Sequence, residues 1–163
     1  MRRISIGISL AAGFILGSTV SFAREPKPFA HSAEIKAPYA KVYQNLKRFF
    51  ALDSSHLFEA TEADEKLGVI RAKRIGIDSR TFGEWAYCKT SPLNLLDSLQ
   101  DATVTVKVRL EKDSPTRTHV AVTTEFVGEY SLAGTNTHTI TCETLGALED
   151  QILAAAGPSV DEQ

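Results

Sequence analysis

The residues best suited to chemistry in this chain are its four histidines, its two cysteines and one acidic cluster. His31, His56, His119 and His138 are scattered and fall in no metal-ligand spacing, so no metal site is expected. A Ser–His–acid relay has no fixed spacing, which leaves a hydrolase open as an alternative. No Gly-x-Ser-x-Gly turn occurs, and neither cysteine adjoins a plausible base. Glu59, Glu62, Asp64 and Glu65 cluster where a hairpin turn is expected. Paired carboxylates do acid–base work only when a cleft holds them, so these read as solvated charge. No glycine-rich phosphate cradle of either common type is present. The expectation is a protein that is not an enzyme and carries no cofactor.

Two further groups of side chains point to binding. Arg71, Lys73 and Arg74, with Arg80 beyond, make a small cationic run on an expected strand. It suits an anionic lipid head or an acidic partner, or else it is a wet sheet face. Phe82, Trp85, Tyr87 and Tyr130 are the notable aromatics. They line a pocket for an apolar ligand, or they complete the core. An exposed Trp85 would mark a protein-binding surface.

The chain begins with Arg2 and Arg3, an apolar run from Ile4 to Val20, and Ser21-Phe22-Ala23. That pattern is a secretory signal peptide over residues 1–23. An uncleaved anchor is the rival reading, since the run is just long enough to span a bilayer. Export permits disulfides, so Cys88 and Cys142 are expected to pair; two buried thiols are the alternative. A loop of about 55 residues would be closed, with a chain-entropy gain of roughly 4 kcal/mol. The chain has 18 basic and 20 acidic residues, a formal net charge of −2. Loss of Arg2 and Arg3 makes it more negative, which argues against a nucleic-acid partner.

The elements follow from periodicity. Residues 24–31 form a tether with Pro26 and Pro28, and Ser32 to Lys36 is a short strand. Pro38 opens a helix in which Tyr39, Val42, Tyr43, Leu46, Phe49 and Phe50 recur at spacings of three and four. It should stop near Asp53. Leu57 to Thr61 and Leu67 to Ile75 read as a hairpin, with Gly76 to Ser79 as a turn. Thr81 to Lys89 reads as a strand, and Ser91 to Asp101 as a loop or short helix. Ala102, Val104, Val106, Val108 and Leu110 alternate with polar residues, the mark of a strand with one packed face. Its partner carries Val120, Val122, Thr124 and Phe126 after a turn at Asp113 to Thr116. Gly128 to Asn136 breaks the pattern, and Thr137 to Cys142 is a last strand. A second helix from Thr144 buries Leu145, Leu148, Ile152 and Ala156, with Glu149 and Asp150 outward. Gly157-Pro158 ends it, and residues 158–163 form a disordered tail.

The segment Cys142-Glu143-Thr144-Leu145-Gly146-Ala147-Leu148-Glu149 resembles a Cys-x-(Ser/Thr)-x-Gly-x-Leu-Glu helix start in small exported bacterial domains. With the order of elements, the chain looks like the helix-grip domains of outer-membrane assembly lipoproteins. It lacks their lipid-attachment cysteine. The resemblance implies a binding or scaffold module and names no catalytic residue. The fold expected is α+β: a curved antiparallel sheet of about five to seven strands against two helices, as one domain over residues 32–157. The function expected is a non-enzymatic binding or scaffold domain of the bacterial envelope, periplasmic or secreted. Its partner is an envelope protein or an apolar small molecule; a lipid carrier is the main alternative.

Overall fold

The computed structural model describes residues 31–52, 58–88, 99–131 and 136–158. Among these residues, seven antiparallel strands and three helices make up an α+β fold with an open sheet. The strands are β1 (Ser32–Ile35), β2 (Glu59–Asp64), β3 (Val69–Arg74), β4 (Ala86–Tyr87), β5 (Leu99–Ser114), β6 (Arg117–Ser131) and β7 (Thr137–Thr144). The helices are α1 (Tyr39–Leu52), α2 (Ser79–Trp85) and α3 (Ala147–Ala156). The sheet runs β2-β3-β5-β6-β7-β4, and β1 pairs with the start of β6. The signal and tether expectations over residues 1–30, together with His56, lie outside the described residues.

The long β5–β6 hairpin is the frame. Ala102, Val104, Val106, Val108 and Leu110 are buried on one face, as their alternation predicts. Val104 lies opposite Phe126, and Val108 opposite Val122. β6 continues to Ser131, beyond the expected break at Gly128. Gly128 itself pairs with Ala102 and Ile140, and a Cβ there would come 2.6 Å from Leu99 Cδ2. The glycine thus lets a side chain cross the strand rather than end it.

On α1, Val42, Tyr43, Leu46 and Phe50 are buried, and the Pro38 carbonyl accepts the first amides, from Lys41 and Val42. Asn45, placed on the polar face from sequence, donates through Nδ2 to the Ala156 carbonyl at 3.1 Å and so ties α1 to the end of α3. These side chains, with Leu148 and Ile152 of α3 and Phe82 of α2, form one core with the packed sheet face. The other sheet face carries no helix among the described residues.

Several expectations need correction. Thr81 to Trp85 is helix, not strand, with only Ala86 and Tyr87 extended. The Asp78 side chain accepts from the Thr81 amide at 2.9 Å and caps α2. The capped turn sets a period near 3.6, which brings Phe82 and Trp85 to the same buried side. Among the described residues the sheet therefore packs three helices, where two are expected from sequence. Glu62 and Asp64 belong to β2 rather than to a turn. Leu99 to Asp101 already belongs to β5; the rest of the expected loop, 91–98, lies outside the described residues. His31, assigned to the tether, accepts the Val122 amide at 2.7 Å, and Pro158, assigned to the tail, accepts the Lys36 amide at 3.1 Å. Gly157 has positive φ (140°) with ψ near −179°, a stop outside the left-handed helical region.

Candidate functional site

The two cysteines meet through sheet register. Ala86 pairs with Thr144 and Tyr87 with Glu143; one residue further, Cys88 faces Cys142. They form a disulfide with Cα atoms 4.3 Å apart.

The cationic run splits across the sheet. On β3, Ile70, Ala72 and Arg74 point to the core, while Arg71 and Lys73 point outward. Arg74 is only 7% exposed, so its placement on a wet face is overturned. The cause is the period of two, which outranks the usual preference of arginine for solvent. Arg80 sits on α2, exposed, with Glu84 at 3.8 Å.

Pairing then assembles a cationic group that no local run displays. Arg71 lies opposite Lys107 of β5, Lys73 opposite Thr105, and Val69 opposite Arg109. Arg71, Lys73, Lys107 and Arg109 thus occupy adjoining positions on the outer face of two neighbouring strands. Like charges directly opposite each other work against the sheet. Glu62 relieves part of this, reaching Arg71 at 2.8 Å from β2. The neighbouring strands carry the opposite sign: Glu125 lies opposite Thr105, and Glu129 and Glu143 are exposed on β6 and β7.

The four aromatics do not line one wall. Phe82 is fully buried against Phe126, with ring centroids 5.8 Å apart. Trp85 is 7% exposed, so it marks no protein-binding patch. Tyr87 is 52% exposed, and Tyr130 stacks on His138 at 5.5 Å near the far end of β6. Trp85 instead belongs to a different row. The Arg74 guanidinium lies over its ring, 5.1 Å from the centroid. Phe58 stacks on Trp85 at 6.4 Å, Phe50 meets Phe58 at 5.5 Å, and Phe49 meets Phe50 at 5.2 Å. Arg74 and Trp85 are each candidates by residue type; their contact joins β3 to α2 and has no local signal in the sequence.

Glu149 corrects a second expectation, for it is fully buried rather than outward. Thr124 and Thr144 donate their hydroxyls to its two carboxylate oxygens. Thr144 in turn accepts the Gly146 amide at 2.9 Å, and Gly146 turns with φ 85° to open α3. Each marked position of the Cys142–Glu149 segment thus has a structural task. Cys142 is bridged, Thr144 relays, Gly146 turns, Leu148 packs and Glu149 closes the cap.

His119 lies between Glu34 and Glu111 across three strands. With Lys112 and Asp113 these line an open polar depression of about 360 Å³. Among the described residues no group of three or more His, Cys, Asp or Glu is arranged to hold a metal ion. No helix among them is long and apolar enough to cross a membrane.

The arrangement defines a disulfide-linked α+β domain of sheet-and-helix type. No protein-family description and no curated protein matches this chain. A solved structure to which it is similar is a TBP-like protein from Parabacteroides distasonis, at 11% identity and a TM-score of 0.35. The match covers 68% of this chain and 63% of that one, so the chain spans under two thirds of that structure's length. A likeness at that TM-score carries no argument about function, and none of these findings assigns the chain to the lipoprotein domains.

Proposed function

We propose that the chain is an exported, non-enzymatic binding module of a bacterial envelope that engages an acidic protein surface with the outer face of its sheet. The observation that carries this is the packing of Arg71, Lys73, Lys107 and Arg109 on adjoining β3 and β5 positions. An arginine opposite a lysine costs stability in the isolated domain. An acidic partner would offset that cost and gain the attraction of four clustered cations. The Cys88–Cys142 bridge supports export, because such bonds persist in oxidising compartments.

A photo-crosslinking residue in place of Thr105, at the centre of the cationic group, tests the reading in whole cells. One defined protein adduct is expected, lost when Lys73→Glu and Lys107→Glu are combined and weakened by salt. No adduct from position 105, or one indifferent to the charge reversal, would reject it. Delivery of the chain to the periplasm or medium, read by fractionation, tests the export half.

A further inference from the structure

We infer that Arg74 and Trp85 form the head of a binding site for an amphipathic carboxylate, whose apolar part follows Phe58 and Phe50. This site faces the interior and is independent of the outer sheet face.

Arg74 carries a buried donor that has no counterpart. Arg74 is more than nine-tenths buried, and its Nε is buried with no hydrogen-bond partner. Among the described residues no carboxylate pairs with it. Guanidinium keeps its charge at any pH where proteins fold. A buried donor left without a partner costs the full desolvation of that group. The acids that follow at this end of the sheet are engaged elsewhere. Asp78 accepts from the Thr81 amide and hydroxyl. Asp101 accepts the Gly76 and Ala102 amides through one oxygen.

Trp85 compensates only one aspect of that cation. Its ring meets the guanidinium 5.1 Å from the centroid, a contact governed by the negative face of the indole. The N–H donors of arginine lie in the guanidinium plane and are not used by such a contact. That donor edge fits the two oxygens of a carboxylate. Beyond Trp85 the chemistry turns apolar, with Phe58 at 6.4 Å from it and Phe50 at 5.5 Å from Phe58. Phe50, Phe58 and Trp85 are buried in the core, so a molecule with an acid head and a hydrocarbon body would part these rings to follow the row.

The chain has one tryptophan, so its emission reports this site directly. The exported protein, with its disulfide intact, is titrated with dodecanoate below its micellar range, and separately with dodecanol and acetate. A saturable change in Trp85 emission is expected with dodecanoate, about tenfold tighter than with dodecanol, as a charged hydrogen-bonded head requires. Arg74→Met should abolish that preference, and Arg74→Lys should reduce it, with far-ultraviolet circular dichroism unchanged. Absence of a saturable response, equal affinity for acid and alcohol, or acetate binding as tightly as dodecanoate overturns the inference. So does an Arg74→Met protein that still prefers the acid. Should that variant not fold, the acid–alcohol comparison on the native chain decides alone. None of these readouts depends on the outer-face cations, so the two proposals stand or fall separately.

Discussion

Thr144 donates its hydroxyl to Glu149 at 2.9 Å while accepting the Gly146 amide, so one side chain links the end of β7 to the first turn of α3. Glu149 is the third helical residue after Gly146, where a glutamate commonly reaches back to satisfy the helix start. Here the reach is relayed through Thr144. Thr144→Val keeps the shape but removes both hydrogen bonds and leaves a carboxylate oxygen buried and short of a donor. The expected loss is about 1–3 kcal/mol, read by urea unfolding. Glu149→Leu should exceed it, because Thr124 and Thr144 both lose an acceptor. A Thr144→Val protein as stable as the native one would show that the relay contributes nothing.

Gly68 and Gly76 separate two costs of a side chain. Both have positive φ, 64° and 69°. A Cβ at Gly68 would lie 2.3 Å from the Leu110 carbonyl oxygen and 2.9 Å from the Tyr39 hydroxyl, whereas at Gly76 it meets nothing within 4 Å. Gly76→Ala should therefore cost only the left-handed backbone penalty, about 1 kcal/mol. Gly68→Ala adds a clash with backbone that cannot rotate away, and should cost about 3 kcal/mol or more. Equal unfolding midpoints for the two variants would contradict this contact.

Asp78 makes the start of α2 sensitive to acid. Hydrogen bonds from Thr81, backbone first and then hydroxyl, hold its carboxyl below the ordinary value of 3.8. The folded state thus keeps the ionised form at pH values where the unfolded chain binds a proton. The stabilisation is complete above 3.8 and is lost as pH falls through the lower folded value. Trp85 ends the same helix, so its emission should shift in that acid range. In Asp78→Ala that step should vanish and the melting temperature at neutral pH should fall. At the alkaline end the sign reverses. Burial first, then the charge of Glu65, raises Tyr39 and Tyr43 above 10.0, so their contribution is full below 10.0 and fades as pH rises beyond it.

The parts of the fold that sequence displays are those governed by one local period. β5 reads plainly because Val104, Val106 and Val108 alternate with Thr103, Thr105 and Lys107 over one packed and one wet face. α1 reads plainly because its apolar spacing of three and four persists over several turns. α2 is short, and Phe82, Trp85 and Tyr87 favour strands on type alone; the decisive mark was Asp78 with Thr81 three residues on. Glu149 carried a similar mark, a glutamate at the third helical position, against the expectation that acids face water. The candidate sites were legible only in fragments. Arg71 and Lys73 meet Lys107 and Arg109 through strand pairing, and Arg74 meets Trp85 across two elements, so residue type alone could not join them.

The Cys88–Cys142 bridge, whose ends are 54 positions apart in sequence, anchors β4 and the segment after α2 to β7. Without it, β4 is held to β7 by two residue pairs among the described residues. Intact mass should lie below the dithiol mass by about two hydrogens, and alkylation of the unreduced, denatured protein should add nothing. Reduction should cost about 2–4 kcal/mol. Because β4 leads directly from Trp85, the loss should reach the tryptophan before the β5–β6 hairpin. A Cys88→Ser, Cys142→Ser protein is expected to show increased quenching of Trp85 emission by acrylamide and faster amide exchange in α2 and β4, with β5 still protected. Uniform loss of protection across β5 and β4 would mean that the bridge stabilises the whole fold rather than this edge.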